Sequence, residues 1–286
     1  MSPAPLVPSP GLGGLPRIGL VAADGARAEI YLHGAHVTSW FPAGAGEDRL
    51  FVSEKAIFTD DAAIRGGVPI CFPQFADQGA LPMHGFVRAL PWQLVQAGEL
   101  PDGRAQAHLR CAATGATRAS WPHAFVLDYT VTVGGATLSL VLDVHNPDTI
   151  DFAFTAALHT YLRVRDLRAT RVRGLAGAHY RDKVLGVDDA VEAAQELPID
   201  RFVDRVYRAA PADLVMLEPG RRLDIRTAGF CDTVVWNPDA PKSASIADME
   251  AGGYLRFLCI EAAVAHAPVT VAAGATWHGA QTLHAR

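Results

Sequence analysis

Two polar residues interrupt otherwise apolar stretches of this chain, and their types suit proton transfer. His159 lies within the run Phe154–Leu162, and Glu261 lies within Phe257–Val264. Histidine titrates near neutral pH, and burial moves the pKa of a glutamate upward toward the same range. Together they could form an acid–base pair. Each could instead be structural, with the histidine bonded to a carbonyl group and the glutamate paired with an arginine.

A second stretch, Arg65–Arg88, combines two arginines and His84 with many glycines, prolines and bulky apolar residues. No helix survives that many breakers, and the apolar side chains argue against a solvated linker. The stretch therefore predicts an ordered, partly buried loop. Because a guanidinium fork suits phosphate or carboxylate, the two arginines could bind an anion beside a sugar-sized pocket. The alternative is that they are surface residues flanking a buried loop.

The spacing of other candidate ligands does not favour a metal or nucleotide site. His33 and His36 are three apart on a predicted strand, so their side chains should face opposite sides of the sheet. The glycines at 11–14 follow no predicted strand, which argues against a nucleotide loop. No zinc-knuckle spacing occurs among the cysteines, which we interpret as buried thiols of a reducing compartment: Cys71, Cys111, Cys231 and Cys259. We expect no metal and no cofactor.

Composition restricts the class of protein further. The chain has 286 residues, is 50% hydrophobic and carries a net charge of −5 without a basic block, which disfavours nucleic-acid binding. No apolar run is long enough to span a membrane. Residues 1–17, rich in proline and glycine, predict a flexible tail rather than a signal peptide. We expect residues 18–286 to form a single domain of a soluble, cytoplasmic protein.

Most of the chain has the pattern of short strands joined by tight turns. This pattern is typical of a large antiparallel β-sandwich with few short helices, whose strands would position these residues. Residues 131–144 predict a hairpin. Residues 28–41 predict a strand with a bulge at Gly34, and residues 152–164 predict one continuous apolar strand.

Six sequence blocks occur in an order that resembles the glucose-6-phosphate 1-epimerases (hexose-6-phosphate mutarotases) of the aldose 1-epimerase superfamily. The blocks are residues 65–75 (RGGVPICFPQF), 84–88 (HGFVR), 156–161 (AALHTY), 204–207 (DRVY), 234–238 (VVWNP) and 259–261 (CIE). The resemblance implies an all-β, galactose mutarotase-like sandwich with the sugar bound in a cleft on one sheet. It also implies that His159 and Glu261 are catalytic, that Arg65 and Arg88 bind phosphate, and that three residues contact the sugar: Gln74, His84 and Asp204.

The implied enzyme is an isomerase that interconverts the α and β anomers of an aldohexose 6-phosphate, most simply glucose 6-phosphate. Glu261 would act as the base and His159 as the acid in opening the sugar ring. The expected partner is a small-molecule sugar phosphate, and the protein would be a monomer or weak homodimer. Two alternatives remain: a mutarotase of an unphosphorylated sugar, and a non-catalytic carbohydrate-binding protein. Met83 stands where the family usually has glutamine, so one sugar contact could differ.

Overall fold

The chain folds almost entirely into antiparallel β-strands. A computed structural model describes residues 6–286, and this part of the chain contains 21 strands in three sheets, numbered in chain order. Its two α-helices are short: α1 (Gly115–Ser120) and α2 (Asp239–Ser243). Three 3-10 turns complete the elements: Leu12–Gly14, Val87–Ala89 and Gly253–Arg256.

The largest sheet has nine strands. In chain order they are β6 (Gln93–Glu99), β7 (Ala105–Ala112), β8 (Val126–Gly134), β9 (Thr137–His145), β12 (Arg171–Arg173), β15 (Glu196–Pro198), β17 (Asp213–Glu218), β18 (Arg221–Ala228) and β21 (Thr276–Ala285). Their spatial order is β15-β12-β17-β18-β21-β9-β8-β7-β6. Strand β9 shows strict alternation: Leu138, Leu140, Leu142 and Val144 are buried and the residues between them are not. Such a strand presents one face to a core. The hairpin predicted over residues 131–144 corresponds to β8 and β9.

The second sheet has eight strands and carries the predicted acid–base pair. They are β5 (Ile70–Cys71), β10 (Phe152–Leu158), β11 (Tyr161–Arg163), β13 (His179–Asp182), β14 (Val187–Val191), β16 (Val203–Tyr207), β19 (Asp232–Asn237) and β20 (Phe257–Val271). The order is β14-β13-β16-β19-β20-β10-β5, and β11 also pairs with β20. Along β20, Ile260 and Ala262 lie in the main core, whereas Cys259 and Glu261 point to the other face because side chains alternate along a strand. That outer face forms the floor of a cleft.

A third sheet has four strands: β1 (Ser9–Pro10), β2 (Pro16–Val21), β3 (Arg27–Tyr31) and β4 (His36–Phe41). One apolar cluster joins all three sheets through residues such as Ile30, Leu140 and Ile260. The predicted antiparallel β-sandwich is therefore confirmed. No helix in the described part of the chain is long and apolar enough to cross a membrane.

The N-terminal stretch differs from the flexible tail predicted for residues 1–17. Residues 1–5 lie outside the described part of the chain. Ser9 pairs with Arg17 and Pro10 with Pro16, and the Leu12 amide donates to the Tyr31 hydroxyl at 3.0 Å. The prediction was wrong for residues 9–17, because a proline can lie on an edge strand, where its missing donor costs no ladder bond.

The prediction of a bulge at Gly34 was also wrong. Gly34 lies in the turn between β3 and β4 with φ of +70°, a conformation that favours glycine. A Cβ atom there would lie 2.5 Å from the Arg88 carbonyl oxygen, and the Gly34 amide donates to the Leu90 carbonyl at 2.7 Å. The turn therefore supports the chain segment that carries Arg88.

Candidate active site

His159 and Glu261 meet in the cleft because the strand predicted over residues 152–164 is broken. Strand β10 ends at Leu158, which pairs with Ala262, and β11 begins at Tyr161, which pairs with Cys259. His159 occupies the break, where its amide donates to the Pro69 carbonyl at 2.9 Å. Its Nδ1 atom lies 3.4 Å from Oε1 of Glu261. The prediction of one continuous strand over residues 152–164 was therefore wrong at His159. The interruption there brings His159 beside Glu261.

Both members of the pair are buried, with exposed fractions of 7% for His159 and 1% for Glu261. Burial raises the pKa of the Glu261 carboxyl well above its ordinary value; Asp204 raises it further and Lys183 opposes the shift. Burial lowers the pKa of His159 well below its ordinary value, and the charges of His84 and the two arginines add to this. The glutamate shift agrees with the sequence expectation, whereas the histidine departs from near-neutral titration because burial disfavours its cation.

Aromatic side chains fix the orientation of the His159 ring. Tyr161 stacks on it with ring centroids 4.8 Å apart and an interplanar angle of 11°, and Trp236 meets it edge-on at 5.8 Å. The Tyr161 hydroxyl accepts a hydrogen bond from Nη1 of Arg65 at 3.2 Å. Arg65 also donates from Nε to Asp248 at 3.0 Å. One of the predicted anion-binding arginines is therefore connected directly to the residue that supports the histidine.

The pair opens into a cavity of about 630 Å³, a size suited to a small organic ligand. Six of the seven site residues predicted from the sequence line it: Arg65, His84, Arg88, His159, Asp204 and Glu261. Arg88 donates from Nη2 to the Met83 carbonyl at 2.8 Å. Met83 itself lines the cavity with 59% of its surface exposed, so the side chain that replaces the family's usual glutamine lies at the cavity wall.

Gln74 is the predicted site residue that the structure does not bring to the cavity. It is buried, and its amide nitrogen donates to the carbonyls of Ala76 and Leu81, both at 3.1 Å. Its Oε1 atom accepts from the Leu81 amide at 3.0 Å. These bonds hold the loop closed, and Gln74 is not among the residues that line the cavity. The sugar contact implied for Gln74 therefore stays a prediction, while the hydrogen bonds observed here brace the loop.

His84 reaches the cavity from a strained backbone. Its φ is +66°, which is uncommon for a non-glycine residue. Its Nδ1 atom accepts from the Ala76 amide at 3.2 Å and lies 3.2 Å from the Cys71 sulfur. Burial, with Arg88 and Lys183 adding to it, lowers the pKa of His84 to about 3. With Nδ1 accepting, the neutral ring carries its proton on Nε2, where it can donate a hydrogen bond.

The turn after His84 provides a test of this arrangement. Gly85 has φ of +70°, and a Cβ atom there would lie 2.1 Å from the Phe72 carbonyl oxygen. We expect Gly85→Ala to cost about 1–3 kcal/mol of stability and to lower kcat/KM by displacing His84. Thermal unfolding and kinetics measure both effects. Gly98→Ala is the control, because a Cβ atom at Gly98 meets no atom within 4 Å; equal effects of the two changes would contradict the prediction.

Three further residues that were not predicted from the sequence add positive charge to the cavity. Arg181, Lys183 and Lys242 also line the cavity. The chain has only three lysines, and two of them are here, which was the one available signal. Lys183 follows β13, where its amide donates to the Asp204 carbonyl at 2.9 Å and its ammonium lies 5.6 Å from the Phe75 ring centroid. Burial raises the pKa of Asp204, and Lys183 and Arg181 oppose that shift.

Asp204 and Lys183 shift the pKa of Glu261 in opposite directions. Removing each charge should therefore shift the pH dependence of kcat/KM in opposite directions. If Glu261 must be ionised to act, kcat/KM falls at low pH as its carboxylate is protonated. Asp204→Asn removes a negative charge that raises the Glu261 pKa, so the acid limb should move to lower pH. Lys183→Met removes a charge that lowers that pKa, so the limb should move to higher pH. The measurement is a pH–rate profile of each variant. Acid limbs that move in the same direction in the two variants would contradict this electrostatic assignment.

Comparisons with known proteins show which family shares this fold. The sequence model of the aldose 1-epimerase family matches residues 16–284. A Cenchrus ciliaris protein with the provisional name glucose-6-phosphate 1-epimerase is 36% identical over 99% of this chain and 88% of its own length. The crystal structure of a provisionally named mutarotase from Salmonella typhimurium superimposes with a TM-score of 0.90 at 33% identity, covering 100% of this chain and 95% of that one.

A more distant structure, a galactose mutarotase-like protein from Clostridium acetobutylicum, is 14% identical and shares the fold with a TM-score of 0.78 over 99% of both chains. The chain belongs to the aldose 1-epimerase family. It is an isomerase that acts on a sugar as a mutarotase. The family resemblance and the galactose mutarotase-like fold predicted from the sequence are both confirmed.

Proposed function

We propose that the chain interconverts the α and β anomers of an aldohexose 6-phosphate, with glucose 6-phosphate as the first candidate. The observation that carries the proposal is the placement of the His159–Glu261 pair, 3.4 Å apart, in a cavity that five cationic side chains also line: Arg65, Arg88, Arg181, Lys183 and Lys242. The name of the Cenchrus ciliaris relative supports the same substrate.

In the proposed reaction, the Glu261 carboxylate takes the proton from the anomeric hydroxyl and the His159 imidazolium protonates the ring oxygen. The bond between C1 and the ring oxygen breaks, and an open-chain aldehyde forms. After rotation about the C1–C2 bond the ring closes on the other face of the carbonyl. His159 then takes back the hydroxyl proton and Glu261 returns its proton to the carbonyl oxygen. Each proton transfer contributes roughly 10²- to 10⁴-fold in rate.

The charges of the site connect phosphate binding to this proton transfer. A carboxylate with a raised pKa is a stronger base, and an imidazolium with a lowered pKa is a stronger acid, but burial also favours their neutral forms. Arg65 and Arg88 are among the charges that lower the His159 pKa. A bound phosphate dianion would offset them, so substrate binding would raise the pKa of His159 and favour the imidazolium that the mechanism needs.

We assign Arg65 and Arg88 to the phosphate, and His84 and Asp204 to sugar hydroxyls. Phosphate binding far from the reacting carbon would use remote binding energy to orient the substrate. Both arginines also have partners within the protein, Asp248 and Tyr161 for Arg65 and the Met83 carbonyl for Arg88. These contacts favour a second candidate function, a mutarotase of unphosphorylated aldoses in which the arginines are structural.

Magnetisation-exchange NMR separates the two candidate substrates. We expect the protein to accelerate exchange between the anomers of glucose 6-phosphate far more than exchange between those of glucose at the same concentration. Faster exchange for glucose would support the second candidate, and no acceleration for any aldose would contradict both.

The cysteines and the net charge bear on the compartment and the partners of the enzyme. Among the described residues the four cysteines form no disulfide, and three are buried, which supports a reducing, cytoplasmic compartment. Cys231 is exposed, so the prediction of four buried thiols was wrong at that residue. The net charge of −5 supports the proposal that nucleic acid is no partner. We also propose that the protein is a monomer or weak homodimer, which sedimentation would measure.

A further inference from the structure

Three potential metal ligands converge beneath the cavity. Nδ1 of His159, the sulfur of Cys259 and a carboxylate oxygen of Glu261 lie within 4.8 Å of one another. Cys259 and Glu261 are two residues apart on β20 and so share its outer face. His159 reaches them from the break between β10 and β11. All three are more than nine-tenths buried, with exposed fractions of 7% for His159, 0% for Cys259 and 1% for Glu261.

Polar atoms of this cluster have unused bonding capacity. Nδ1 of His159 and Oε2 of Glu261 make no hydrogen bond to any residue in the described range 6–286. Buried polar atoms normally have a partner, and leaving one without a partner costs free energy. The 3.4 Å contact between Nδ1 and Oε1 is not a hydrogen bond, so it leaves Nδ1 without a partner among the described residues. An additional ligand between these side chains would resolve the deficit.

The donor set fits one class of ion. Imidazole nitrogen, thiolate sulfur and carboxylate oxygen are the ligands of Zn²⁺, at about 2.0–2.3 Å, and the thiolate disfavours Mg²⁺ and Ca²⁺. Two such ligands in a tetrahedral shell lie roughly 3.3–3.8 Å apart. The separation of 3.4 Å between Nδ1 and Oε1 lies in this range, and the three ligand atoms including the Cys259 sulfur lie within 4.8 Å of one another. His159 and Glu261 also line the cavity, which gives an ion a route from solvent and leaves a fourth position facing the cavity.

We propose that His159, Cys259 and Glu261 bind one divalent transition-metal ion of the Zn²⁺ class, and that the bound ion inhibits the mutarotase. Binding forms a metal–sulfur bond and releases the thiol proton of Cys259 to solvent, together with any proton on Glu261; no oxidation occurs. The ion occupies the lone pairs that the acid and base need. The inhibitory effect rests on the catalytic roles proposed above, whereas the binding does not.

Co²⁺ provides a direct optical test of binding, because a tetrahedral cobalt–thiolate centre absorbs in the visible and shows a sulfur-to-metal charge-transfer band in the near ultraviolet. We expect the intact protein to develop the visible absorption and the charge-transfer band when it is titrated with Co²⁺. Added Zn²⁺ should displace the Co²⁺ and abolish both signals. Cys259→Ser should abolish the charge-transfer band and raise the dissociation constant about tenfold or more. Cys231→Ser, which removes the exposed thiol, should leave both unchanged.

Enzyme assays test the second half of the proposal. Zn²⁺ should slow anomer exchange reversibly, and a chelator should restore it. Cys259→Ser should require about tenfold or more Zn²⁺ for half-inhibition, measured against the rate of the same variant without added metal. Thermal unfolding confirms that this variant is folded.

The results have separate meanings for the two proposals. A charge-transfer band that is absent from the intact protein, or that persists in folded Cys259→Ser, overturns the metal site. Binding without any change in the rate of an active enzyme overturns the inhibition. A protein that binds Co²⁺ through Cys259 but accelerates no anomer exchange overturns the proposed function and leaves the metal site supported.

Discussion

Glu261→Gln should lower the rate of anomer exchange by about 10² to 10⁴, the usual contribution of a general base. Glutamine has the same shape and can still form hydrogen bonds, but it cannot accept the anomeric proton. The rate would be measured by magnetisation-exchange NMR on saturating glucose 6-phosphate. The effect should fall on kcat rather than on KM, because the change removes a step of the reaction and leaves the cavity walls intact.

This change should not destabilise the fold, which allows the loss to be assigned to chemistry. The Glu261 carboxyl is 1% exposed and its Oε2 atom has no hydrogen-bond partner among the described residues, so a neutral amide avoids the cost of burying a charge. Thermal unfolding should therefore occur at an equal or higher temperature. Glu196→Gln, the same substitution at an exposed residue of β15, is the control. Full activity in Glu261→Gln would exclude Glu261 as the base.

Arg88→Met should raise KM for glucose 6-phosphate by about 10- to 100-fold, since a hydrogen bond to a charged group contributes roughly 1.5–3 kcal/mol. The KM for glucose should change little. Arg88 is the better test than Arg65, because its hydrogen bond within the described part of the chain goes to an uncharged acceptor, the Met83 carbonyl. Arg65 holds Asp248 and Tyr161, so its removal would also disturb the support of the His159 ring.

The control for charge is Arg110→Met, which removes one positive charge from an exposed residue of β7 bonded to Asp128. It should leave both KM values unchanged. Equal losses for glucose and glucose 6-phosphate in Arg88→Met would show that the arginine supports the cavity rather than the phosphate, and the second candidate function would then be favoured.

The sequence was most informative where one physical rule dominates. Glu261 could be found from sequence because a carboxylate inside an apolar strand is costly and therefore conspicuous. The sandwich could be predicted because alternating burial, as in β9, is a local property of each strand. Arg65 and Arg88 could be found because few other residues combine charge with a loop so rich in glycine and proline.

Residues whose surroundings come from distant parts of the chain could not be predicted in the same way. At the break between β10 and β11, the His159 amide donates to the Pro69 carbonyl. The direction of the Gln74 side chain is set by its hydrogen bonds to Leu81, which point it into the loop. Lys183 belongs to the cavity only because β13 pairs with β16, the strand that carries Asp204. Pairing of this kind is set by tertiary contacts and is not a property of the local sequence.

A crystal structure of the Glu261→Gln variant with glucose 6-phosphate bound would test the proposed roles of His159 and Glu261 most directly. The anomeric hydroxyl and the ring oxygen should lie within hydrogen-bond distance of residue 261 and His159, respectively. The phosphate should contact Arg65 and Arg88. A sugar bound with its phosphate against His159, or with C1 pointing away from residue 261, would contradict the proposed mechanism.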